Sequence, residues 1–124
     1  MIRFVTKLEL TPLHHLRTEQ WAVVAAFICD LDGSRIEVPA GFVTDLASTP
    51  RWLWAIFPPF GAWDEAAVLH DWLYRTGCRP RAEADAALYH GSIECGASRA
   101  KAWLMWAAVR LFGKQFYRRQ VRQE

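Results

Sequence analysis

The chain has 124 residues and a mass of 14.3 kDa, the size of one folded domain. Hydrophobic residues make up 52% and charged residues 23%, which excludes an intrinsically disordered segment and leaves a net charge of only +2. No uncharged run approaches ~18 residues, so no transmembrane helix is expected, and the alternating apolar and charged residues of MIRFVTKLEL are not those of a signal peptide.

The first 45 residues carry β signals. A first strand is expected over 2–10, followed by a connection containing Pro12, His14 and His15. The apolar segment 19–30, EQWAVVAAFICD, reads as one long strand; Asp32-Gly33 signals a hairpin turn, and 35–39, RIEVP, returns. An antiparallel sheet of about three strands follows. From residue 48 the signals are helical. Ser48-Thr49-Pro50 offers a cap and a first helical proline for a short helix that Pro58-Pro59 ends. Asp64 opens 64–76, stopped by Gly77. Pro80 opens 80–95, closed by Gly96, and Ser98 caps 98–119, in which Gly113 is a weak point. The expected architecture is a single α+β domain over 1–124, a small N-terminal antiparallel sheet followed by three to four C-terminal helices.

Charge is unevenly spread. Residues 1–97 hold eight Lys/Arg against twelve Asp/Glu, whereas 98–124 hold seven against one, a net +6. That basic end suits an acidic partner or anionic lipid, or is a solvated helix end. It matches no nucleic-acid-binding motif, so nucleic acid is not an expected partner. Cys29, Cys78 and Cys95 form no CxxC pair and read as small hydrophobes in a reducing compartment.

Four features bear on chemistry. His70 and Tyr74 lie one turn apart on the same face of helix 64–76, with Asp71 beside them and Arg75 one turn on from it. The bland account is a buried histidine and a surface Asp71–Arg75 pair. Asp85 follows Arg81 by one turn on the next helix. A short connection makes the two helices antiparallel, so Asp85 can reach His70 or Tyr74 and orient the imidazole as a general base. Asp45, among Thr44, Ser48 and Thr49, is either a turn residue or a metal or substrate contact. The stretch 52–63, WLWAIFPPFGAW, holds Trp52, Trp54, Phe60 and Trp63, which would contact substrate, lipid or a partner if they are not core.

Taken together, VPAGFVTDLASTPRWLW, AAVLHDWLYR, RAEADAALYHG and WAAVRLFG resemble a family of small proteins encoded by tailed phages and prophages, catalogued as a domain of unknown function. The resemblance runs from about residue 36 to 117 and rests on GFxTDxAS, HDxLY and RxxAD in combination. It implies a protein made in the host cytoplasm and associated with the virion, where phage structural proteins or bacterial envelope lipid would be its partners.

AAVLHDWLY followed closely by EADAALY is also similar to the two active-site helices of phospholipase A2, especially the cysteine-poor form of parvovirus capsids. This resemblance implies that His70 activates the attacking water, Asp85 orients His70 and Tyr74 supports Asp85. Asp71 would hold Ca²⁺, which stabilises the oxyanion at the ester carbonyl. The phospholipases complete the calcium shell with a Gly-rich loop. FPPFGAWDE has Gly61 alone and lies closer to the histidine, so Asp45 would have to supply missing ligands. Two expectations stand: a metal-dependent ester hydrolase of the bacterial envelope, or a non-catalytic tail, baseplate or host-interaction protein in which the same residues form a structural network.

Overall fold

The structure is a computed structural model that describes residues 2–12, 21–44, 64–114 and 117. Its elements, in chain order, are β1 (Ile2–Phe4), β2 (Leu10–Pro12), β3 (Trp21–Val23), β4 (Phe27–Leu31), β5 (Ser34–Val38), β6 (Val43–Thr44), α1 (Asp64–Thr76), α2 (Arg81–Glu94) and α3 (Arg99–Phe112). The fold is α+β, with two three-stranded antiparallel sheets, β1-β4-β5 and β2-β3-β6, where the sequence suggested one.

The expected long first strand is two strands in different sheets. After Phe4 the amides of Val5 and Thr6 both donate to the Ile28 carbonyl, at 2.9 and 3.3 Å. The Thr6 hydroxyl accepts from the Ile28 amide at 2.9 Å. Two residues facing one form a bulge, which bends the chain out of the first ladder. The apolar run 19–30 likewise divides. Val24 and Ala25 are exposed at a bend, and the chain crosses there from β3 to β4. The hairpin between β4 and β5 has the turn its sequence suggests: Asp32 and Gly33 have φ of 52° and 85°, and Leu31 faces Ser34. Strand β6, only two residues long, carries no sequence signal of its own.

Alternation on β4 and β5 turns Phe27, Cys29, Leu31, Ile36 and Val38 inward. They meet Ala67, Val68, Leu69 and Leu73 of α1 in the main core, where each large aliphatic or aromatic side chain contributes about 1.5–3 kcal/mol by leaving water. Pairs along the helices fix their direction. Ala66 lies by Gly91, His70 by Asp85 and Tyr74 by Arg81, so α1 and α2 are antiparallel. Asp85 meets Arg110 and Ser92 meets Met105, so α3 is antiparallel to α2. Close approach of α1 to α2 needs small residues: a Cβ on Gly91 would stand 3.0 Å from that of Ala66.

Helix α1 has the bounds read from the sequence, and Ser98 caps α3 by accepting from the Lys101 amide at 3.2 Å. The expected helix 98–119 is not continuous. Gly113 is its C-cap, with its amide on the Val109 carbonyl at 2.9 Å. Ala102 and Met105 are buried, Trp103 is exposed, and the helix packs on α2. The short helix expected after Pro50 lies outside the described residues.

Cysteine chemistry is testable at once. Cys78 is exposed, whereas Cys29 is buried and Cys95 half-buried. Burial, Cys95 and Glu65 push the Cys29 thiol up to about 12; burial and the bond to Glu65 push Cys95 up to about 12 as well. Iodoacetamide at mildly alkaline pH should label Cys78 in the folded protein and reach Cys29 and Cys95 only after denaturation. Peptide mass spectrometry showing equal labelling of all three would contradict this core.

Candidate active site

Three helices converge on one carboxylate. Asp85 is fully buried on α2. Its Oδ1 accepts from His70 Nε2 at 2.9 Å and from the Tyr74 hydroxyl at 2.6 Å, both on α1. Its Oδ2 accepts from an Arg110 terminal nitrogen at 2.9 Å, and Arg81 Nε lies 3.8 Å away. Burial alone would raise the Asp85 pKa. Hydrogen bonds from His70, Tyr74 and Arg110 more than offset it and hold the carboxyl below its ordinary value.

An ionised Asp85 only accepts, so Nε2 of His70 carries the proton and a neutral ring has its lone pair on Nδ1. Among the described residues no hydrogen-bond partner meets Nδ1. The imidazole lies against the Tyr74 ring, with centroids 4.2 Å apart. Burial, then the bond to Asp85, raises the Tyr74 pKa, so the phenol stays protonated and donating.

Arg81 ties the site to α3. Its Nε donates to the Tyr74 hydroxyl at 3.2 Å, and one terminal nitrogen donates to the carbonyls of Val109 and Arg110 at 2.6 and 2.8 Å. These are last-turn carbonyls, which a cation satisfies well. Gly113 follows, and a Cβ there would stand 2.8 Å from the Tyr74 hydroxyl. Tyr117 packs edge-on against Tyr74 and donates its own hydroxyl to the Arg79 carbonyl at 2.9 Å.

Asp71 belongs to the other side of α1. The sequence placed its pair with Arg75 at the surface; the structure buries Asp71, 7% exposed, because β6 runs past this turn of the helix. Thr44 donates to Oδ2 at 2.8 Å, and Arg75 Nε lies 3.3 Å from Oδ1. Arg75 also sits over the Phe42 ring, 5.3 Å from its centroid, and Phe42 meets Trp72 edge-on. A carboxylate already engaged by a guanidinium is a poor calcium ligand, and the described residues contain no group of three His, Cys, Asp or Glu that could hold a metal. Asp45, the other expected calcium ligand, lies outside the described residues.

His70, Tyr74 and Asp85 are therefore brought together as their spacing suggested. Asp71 is held apart by Thr44 and Arg75, while Asp45, Trp52, Trp54, Phe60 and Trp63 lie outside the described residues. Arg110 and Thr44 were missed. Arg110 had a signal, a lone cation within the apolar run AAVRLF; Thr44 had none beyond its place before Asp45.

The fold and site define an α+β domain in which three helices share a His–Asp–Arg network around one buried carboxylate. Residues 21–109 match the family described as "Protein of unknown function (DUF1353)", and the chain belongs to that family. It is 35% identical over 86 residues to "Uncharacterized protein y4jT" of Sinorhizobium fredii (strain NBRC 101917 / NGR234). That match covers 68% of this chain and 26% of the relative, so the chain spans about a quarter of the relative's length. No solved structure matches the chain.

Removing Asp85 strands two buried donors and a cation. Asp85→Ala should cost about 3–5 kcal/mol in urea unfolding. The pH dependence follows from the lowered carboxyl. Its contribution is complete above the unfolded value near ~3.9 and is lost as pH falls toward the lower folded value. The stability gap between the parent and Asp85→Asn should therefore narrow steadily below about pH 4. Gly113→Ala should displace the Tyr74 hydroxyl and cost about 1–3 kcal/mol, read by the same unfolding curves.

Proposed function

We propose that this domain is a hydrolase of carboxylic esters in which His70 is the general base. One observation carries the reading: His70 Nε2 bonded to Asp85 at 2.9 Å, with Nδ1 meeting no hydrogen-bond partner among the described residues. Nδ1 takes a proton from water as the water oxygen attacks the ester carbonyl. The imidazolium formed is stabilised by Asp85 through Nε2–H. When the tetrahedral intermediate collapses, Nδ1 returns the proton to the leaving alkoxide, so acid and alcohol are released and the ring is neutral again. Tyr74 and Arg110 hold Asp85 in one rotamer throughout. The HDxLY helix and its partner Asp85 favour a lipid ester as substrate, and the motif set favours a phage or prophage protein, associated with the virion and acting on the bacterial envelope. No step is routed through a metal.

A non-catalytic reading has its own support. Arg110 and Arg81 already bring two cations to Asp85, joining three helices without any substrate. Purified protein incubated with phosphatidylglycerol vesicles decides between them. Release of fatty acid, reduced about 10²–10⁴-fold in a folded His70→Gln variant, is the expected result. With Arg75 on Asp71, activity should persist in EDTA; loss restored by Ca²⁺ would return Asp71 or Asp45 to the role of ligand. No hydrolysis by the folded parent, with His70→Gln merely less stable, would leave the structural network as the function of these residues.

A further inference from the structure

Helix α3 buries one face against α2 and leaves the other without a partner among the described residues. Trp103 is 55% exposed, Leu104 42% and Leu111 74%. Trp103, Ala107 and Leu111 follow one another at single-turn spacing, and Leu104 is in line with Leu111, so they form one stripe. The Trp103 and Trp106 rings lie 6.4 Å apart along its edge.

The charged residues of α3 itself, with Lys114 just after it, are all of one sign. Arg99 stands one turn before Trp103, Lys101 precedes Leu104 by three residues, and Lys114 follows Leu111 by three; all are exposed. Helix α3 contains no Asp or Glu. Arg110, the remaining cation of the helix, is committed to Asp85.

We infer that this face of α3 docks on an anionic lipid surface. Trp and Leu side chains enter the boundary between headgroups and acyl chains, while Arg99, Lys101 and Lys114 reach lipid phosphates with their aliphatic stems along the helix. Charge complementarity selects this occupant. A second copy using the same face would set cations against cations. A nucleic acid would use the cations and Trp103, but Leu104 and Leu111 offer nothing for a base to stack on. The inference does not rest on hydrolysis and stands or falls separately from it.

The full chain, sedimented with vesicles of equal parts phosphatidylglycerol and phosphatidylcholine, tests the face directly. Binding should far exceed that to phosphatidylcholine alone and fall about tenfold or more between about 0.05 and 0.5 M salt. A variant combining Trp103→Ser, Leu104→Ser and Leu111→Ser, shown to be folded by circular dichroism, should bind at least about tenfold more weakly. Lys101→Glu should cost roughly fivefold or more. Undiminished binding by the folded triple variant overturns the inference, as does equal binding to both vesicle types. So does a dimer in sedimentation velocity that the triple variant abolishes while vesicles are ignored. Should the triple variant not fold, a nitroxide on Leu111→Cys in a Cys78→Ser background gives the answer. Protection from an aqueous relaxation agent on adding vesicles supports docking, and unchanged accessibility refutes it.

Discussion

A carboxylate with no contact to water is the constraint on which the helical half of this domain depends. Asp85 remains ionised in the interior because donors reach both of its oxygens. The desolvation of one charge costs several kcal/mol unless it is matched. Here the matching groups come from α1 and α3 as well as from α2 itself, so the charge is satisfied only when all three helices are in register. An apolar contact tolerates a slide of an ångström; a 2.6 Å hydrogen bond from Tyr74 does not. The site thus specifies the packing as much as the packing builds the site.

Small residues make that register reachable. Ala66 and Gly91 let α1 and α2 approach closely at one end, which brings His70 and Asp85 to bonding distance further along the pair. Gly113 does the same at the other end, where the backbone after α3 passes the Tyr74 hydroxyl with no room for a Cβ. Arg81 then caps the last carbonyls of α3 and bonds Tyr74 with the same guanidinium. Charge, cap and close approach are thus parts of one arrangement, and each loses its geometry without the others.

The helices were legible because their stops and caps are local. Asp64, Gly77, Pro80 and Ser98 mark boundaries by their own backbone and hydrogen-bonding preferences, and the short connection at 77–80 already forces α1 and α2 antiparallel. The His70–Asp85 pair follows from that connection. Strand organisation was not legible, because the run WAVVAAFIC has no charged residue to show where it changes sheets; the break at Val24 and Ala25 is set by the two ladders on either side. Likewise, the bulge at Val5 and Thr6 depends on Ile28, far along the chain. Asp71 misled for a related reason. Its helical neighbour Arg75 accounts for one oxygen, and nothing near it in sequence announces that Thr44 will cover the other.

Arg110 also has a consequence for the order in which the chain can mature. During synthesis β1–β6, α1 and α2 are complete before residue 110 exists, yet until then Asp85 lacks its nearest cation and the carbonyl ends that hold Arg81 are unmade. A nascent domain ending at α2 would have to bury an undercompensated charge or leave α2 undocked. The arrival of α3 is therefore what closes the fold. Vectorial synthesis yields here not a growing core that sets progressively but a molecule that stays open until α3 clears the ribosome.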